Sequence, residues 1–168
     1  IKLIKDAYKG NKIIGVIAQK DSNIEDPSFD DLYKVGTVAY IVKMLQMPDG
    51  NTTVIIQGKR KFHLKELIQE NPYIKANVEN FEESTYAKNK EFEALVASLK
   101  ELAIQIIQIS PNIPSEAAFA IKNIESPSFL INFISSNMNA ELVDKQKMLE
   151  QLNLVVRGEM VLEHLTKE

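Results

Sequence analysis

Side chains able to do covalent or acid–base work are few here, and their spacing argues against a catalytic centre. The chain has no cysteine, which removes disulfides, thiol catalysis and thiolate metal sites. Its histidines, His63 and His164, lie far apart, one in a strand-like segment and one on a helical pattern. A single imidazole among scattered carboxylates is no metal-ligand pattern. Carboxylates cluster at Glu25-Asp26, Asp30-Asp31 and Glu82-Glu83, all in polar loop or linker sequence. General acid–base catalysis needs two carboxyls in different environments, and these would be solvated alike. The serines at 110, 115, 126, 128, 135 and 136 read as helix caps or helix surface, and none sits in a Gly-x-Ser-x-Gly elbow. The six glycines never form a phosphate-binding loop. Gly58-Lys59-Arg60 reads as a strand end followed by a solvated basic turn. No catalytic, cofactor-binding or metal residue is assigned.

The elements around these residues divide into two regions, 1–84 and 85–168. With 168 residues, 45% apolar and 26% charged, the composition is that of a globular protein. The net charge of −3, with signs interspersed, predicts no nucleic-acid site, and no apolar run is long enough to span a membrane. Residues 1–9 have helical spacing, stopped by a left-handed cap at Gly10-Asn11. Residues 13–18 read as a buried strand and 20–34 as a long loop. Residues 35–47 and 52–57 flank Pro48-Asp49-Gly50-Asn51, a hairpin signal. Further strands are expected over 61–67 and 73–81. Beyond residue 85 the apolar positions 92, 95, 96, 99, 102, 103, 106 and 107 give a helical stripe of about six turns. Ser115, Ser126-Pro127 and Asn153 then open further helices, with a fourth segment over 140–152.

Alternation along residues 35–47 yields the one candidate binding patch. Val38, Tyr40, Val42 and Met44 fall on one face, suited to an interior. Thr37, Ala39, Ile41, Lys43, Leu45 and Met47 fall on the other, which Lys43 marks as the wetter side. Ile41, Leu45 and Met47 are large and apolar, so they are expected either to be covered by the chain's own loop (Phe29, Leu32, Tyr33) or helical region, or to form an apolar patch for hydrophobic segments of other proteins, Met adapting to varied shapes.

In combination, several stretches resemble the N-terminal domain of bacterial ATP-dependent Lon proteases. They are Gly15-Val16-Ile17-Ala18-Gln19-Lys20-Asp21, Asp31-Leu32-Tyr33-Lys34-Val35-Gly36-Thr37-Val38-Ala39, Leu45-Gln46-Met47-Pro48-Asp49-Gly50 and Ile56-Gln57-Gly58-Lys59-Arg60. Pro72-Tyr73-Ile74-Lys75-Ala76, the helical stretch from Ser126 to Ile134, Lys145-Gln146-Lys147-Met148-Leu149-Glu150 and Arg157 extend the likeness along the whole chain. One departure is Leu130-Ile131-Asn132, where the family usually has Leu-Ala-Asp, so a locally pairing carboxylate is lost.

The resemblance implies an α+β fold: a PUA-like β lobe, without the family's opening strand, then an α-helical bundle ending in a long projecting helix. Neither end carries a start or stop signal, which predicts a piece of a longer polypeptide. It also implies a non-catalytic module that recognises unfolded or damaged proteins and self-associates within a cytoplasmic homohexamer. ATP and Mg would be used by an ATPase module, and a serine–lysine pair by a protease module, neither matched in this chain. The alternative is a stand-alone Lon-type substrate-binding module.

Overall fold

The computed structural model describes residues 1–167 as two compact units, Ile1–Glu82 and Glu83–Glu168. The fold is α+β.

In the first unit, helix α1 (Lys2–Lys9) precedes strands β1 (Ile13–Val16), β2 (Val35–Gln46), β3 (Thr52–Gln69) and β4 (Lys75–Asn80). The strands form an antiparallel sheet in the order β1-β2-β3-β4. Leu32, Val38, Phe62 and Leu64 are its buried core, with Ile17, Phe29, Ile74 and Ala76 packed around them. The 17–34 loop is tied down by a capping box. Asp31 accepts from both the backbone N–H and the hydroxyl of Ser28. Those two bonds, the backbone one first, hold its carboxyl below the usual range. The β2–β3 turn closes as its sequence dictates. Gly50 takes the left-handed φ of 86° that a side chain would resist, and Asp49 accepts from the Asn51 amide at 2.9 Å.

Three local expectations are corrected here. The left-handed residue after α1 is Lys12 (φ 61°), while Gly10 has a negative φ. β1 is an edge strand rather than a buried one, and Ile13 is 48% exposed. An unbroken apolar run was the wrong guide, because burial also needs cover on both faces. Gly58-Lys59-Arg60 is no turn either, since β3 runs through it. β2 is long enough to pair on both sides, Ala39 opposite Gly58 and Val38 opposite Arg60, so the extra Lys59 is absorbed as a bulge.

The second unit contains α2 (Lys90–Ile109), α3 (Glu116–Asn123), α4 (Pro127–Asn137), α5 (Leu142–Glu150) and α6 (Leu154–Leu165). Leu99, Leu130, Ile131, Leu154 and Val161 are fully enclosed in one core. Ser126 caps α4 by accepting from Phe129, and Asn153 caps α6 by accepting from Val155 and Val156. Ser115 starts α3 without capping it, because its own backbone is already helical. Replacing Asn153 by Ala strands two amides at the α6 N-terminus. The expected cost is about 1 kcal/mol in urea unfolding followed by far-UV circular dichroism.

The last helix does not project. α6 buries Leu154, Arg157, Gly158, Val161 and Leu165 against its own bundle, beside α2 and α4. Gly158 makes this possible. A Cβ there would lie 3.0 Å from Leu95 Cδ2 and 3.1 Å from Ile131 Cδ1. Close helix approach outweighs the roughly 0.8–1 kcal/mol that glycine costs in a helix. The described helix ends at Leu165; Glu168, to which the expected helix extends, lies outside the described residues.

Candidate functional site

The expected patch comes apart at a β-bulge. Ile41 pairs with Ile56 but Lys43 pairs with Ile55, so Val42 is an extra residue in β2 and the alternation shifts beyond it. Thr37, Ala39 and Ile41 keep to one face of the sheet. Lys43 and Leu45 instead join the face of Val38 and Tyr40, and Met47 follows the last residue of β2 at the hairpin tip. Ile41 is fully buried and cannot meet a partner. Tyr40 and Val42, assigned to the interior, are exposed. Leu45 is half-buried and Met47 is 43% exposed.

What replaces the patch is a ribbon face. Register aligns Ile13 with Tyr40, Tyr40 with Gln57, and Lys43 with Ile55, so these side chains share one side of the sheet. Ile55 is 47% exposed. The Lys59 ammonium donates to Gln57 Oε1 at 2.9 Å and lies 6.0 Å from the Tyr40 ring centroid. The result is an apolar strip edged with cations, with no acid–base pair on it. It can cover hydrophobic groups.

A second polar centre lies inside the helical unit. Arg157 donates from Nε to Met148 O at 3.0 Å and from Nη1 to both Glu83 Oε1 at 2.6 Å and Asn132 Oδ1 at 3.0 Å. It also donates to the Gln151 carbonyl, and Ser128 donates to Glu83 Oε2 at 3.3 Å. Glu83 is thus no free linker acid, as its cluster with Glu82 suggested. Asn132 supplies an acceptor through its amide oxygen in place of a carboxylate. Arg157 is 1% exposed and occupied on every side, which makes it a structural clamp with no opening to substrate.

The two histidines belong to different units. His63 stacks on Phe81, 6.3 Å between centroids. His164 lines a groove of about 710 Å³ in the helical unit, with Ile106, Ile113, Phe133, Met138 and Leu165 among its walls. That lining holds one imidazole and no carboxylate. No three His, Cys, Asp or Glu converge among the described residues, and no described helix is long and apolar enough to cross a membrane.

Comparison with known proteins turns on the whole chain. Residues 1–167 match the family model described as the ATP-dependent protease La (LON) substrate-binding domain. Among curated relatives, the Lon protease of Flavobacterium johnsoniae is 54% identical over all of this chain and 21% of its own length. Lon protease 2 of Myxococcus xanthus is 40% identical over all of this chain and 20% of its own. The chain therefore spans about a fifth of the length of the curated relatives it matches. Among solved structures, the N-terminal domain of a Mycobacterium avium complex Lon protease aligns with TM-score 0.70 at 15% identity, covering 93% of this chain and 90% of that one. A Lon N-terminal domain protein from Xanthomonas campestris aligns at 0.66 and 14%, covering 96% and 81%. At such identities the two structures speak for the fold alone.

Proposed function

Since the chain belongs to the Lon substrate-binding domain family, we propose that it is the client-binding module of an ATP-dependent serine protease. Its clients would be unfolded, damaged and short-lived regulatory proteins, taken up in the cytoplasm. A second role is to help assemble the parent protein, a homohexamer in this reading. ATP and Mg²⁺ belong to an ATPase module outside this chain, and the module itself turns nothing over. One observation carries the reading: the β2–β3 ribbon exposes Met47, Ile55, Tyr40 and Val42 with no catalytic constellation beside them. Exposed apolar groups on a rigid sheet are what an unfolded chain can use.

Binding should be weak, because a flexible client loses entropy when it is ordered. A permanently unfolded, fluorescently labelled protein titrated with the 168-residue chain tests this. Covering one such side chain is worth about 1.5–3 kcal/mol when complete, so partial cover predicts a five- to tenfold loss for Met47→Ser or Ile55→Ser. Both positions are surface sites, and the variants should fold. Client affinity unchanged in both would remove the ribbon from the reading.

A further inference from the structure

We propose that the outer edge of β3, from Thr52 to Arg60, takes an extended client segment as an added β-strand, and that it selects segments combining apolar and acidic residues. This deepens the client-binding reading and rests on it.

The edge is open. β3 is paired along this stretch to β2 on one side, whereas β4 pairs with it only from Phe62 onward. Nearest to the gap, the Phe81 amide donates to Lys61 O, and among the described residues no strand lies beside Thr52–Arg60. Roughly every second residue there points its backbone N–H and C=O outward, a ready template for another chain. Ile55 and Ile56, on opposite faces of this edge, are both exposed. An added strand of alternating residues would lay its apolar side chains over Ile56 and its carboxylates on the face that Ile55 shares with Lys43, while backbone bonds supplied the affinity.

Charge decides which strand. The chain is net negative, yet residues 35–65 carry five cations, Lys43, Lys59, Arg60, Lys61 and Lys65, and one carboxylate, Asp49. Asp49 is engaged by Asn51 within its own turn, and Lys65 pairs with Glu79 at 3.2 Å. No ion pair engages Lys43, Lys59 or Arg60 among the described residues. A second copy of this ribbon would bring like charges together and is disfavoured. Nucleic acid would satisfy the cations and leave the isoleucines in water. An apolar segment bearing carboxylates satisfies both.

The test uses short labelled peptides, long enough to span Thr52–Arg60, bound to the 168-residue chain and followed by fluorescence anisotropy. Alternating apolar–Glu and apolar–Lys versions share the same apolar residues. The Glu peptide should bind about tenfold tighter at low salt, with the gap closing as salt is raised. Exposed-site substitutions Lys43→Glu and Lys59→Glu together should reverse the order. N-methylating one alternate set of peptide amides should abolish binding, and methylating the other set should not, since only one set faces the edge. No binding by either peptide, equal binding by both, or indifference to methylation in both sets overturns the proposal. If the unfolded-protein titration still depends on Met47 and Ile55 in that event, the client-binding reading stands and strand addition alone falls.

Discussion

Arg157→Ala is expected to remove about 3 kcal/mol from the stability of the helical unit, toward the lower end of what breaking a buried charge pair costs. The guanidinium joins four places in the chain: Glu83 in the segment before α2, Asn132 in α4, Met148 in α5, and Gln151 just after it. Alanine leaves three neutral acceptors and a carboxylate facing the space it vacates. Glu83 keeps 29% of its side chain exposed, so water can take over part of its charge and the loss stays short of the extreme. Arg157→Lys should recover little. One ammonium on a flexible stem cannot reproduce a planar fork that meets acceptors on three sides. Glu83→Gln keeps an acceptor for the guanidinium and should cost clearly less than Arg157→Ala. Urea unfolding followed by far-UV circular dichroism measures all three. A loss below about 1 kcal/mol for Arg157→Ala would mean the clamp holds nothing, since ordinary surface changes stay within that range.

The same clamp marks where sequence reading stopped. The α2 stripe was legible because its spacing is local, and Phe92, Leu99, Ala103 and Ile107 are indeed its buried positions. The Pro48–Asn51 turn was legible because Gly50 and Asp49 act within four residues. The faces of Lys43 and Leu45 were not. Their placement depends on Val42 standing unpaired opposite β3, and one extra residue inverts a period of two. The α6 stripe could be seen, but not its cover, which comes from Leu95 and Ile131 meeting a glycine. Arg157 stood out as family-like, and an arginine amid apolar helix positions was the available signal. Its partners are spread from residue 83 to residue 151, a convergence only the fold creates.

Gly36→Ala should destabilise the β unit by about 3 kcal/mol, the upper range for forcing atoms into a filled site. A Cβ on residue 36 would lie 2.5 Å from the Val16 carbonyl oxygen and 2.7 Å from Phe62 Cζ. Val16 O belongs to the backbone of β1, which pairs only with β2, so relief means moving the strand itself. Phe62 is no freer. It is buried with Leu32, Val38 and Leu64, and a Cβ on Gly15 would also meet its ring, at 3.2 Å. Gly15 and Gly36 thus form the seat on which that ring rests. Two other glycines calibrate the effect. Gly58→Ala would meet only the Thr37 methyl at 3.3 Å, inside a strand where alanine suits the backbone, and should be near neutral. Gly50→Ala has open space but a φ of 86°, and should cost about 1 kcal/mol through backbone strain alone. The expected order of loss is Gly36, then Gly50, then Gly58. Trimming the ring with Phe62→Leu in the Gly36→Ala background should restore only part of the stability, because the carbonyl contact remains. Hydrogen exchange reads the local consequence: amides of Ile13–Val16 should exchange faster in Gly36→Ala as β1 leaves the sheet. Wild-type stability with unchanged exchange at β1 would show that the strand has room to accept the methyl, and the seat for Phe62 would not be the reason residue 36 is glycine.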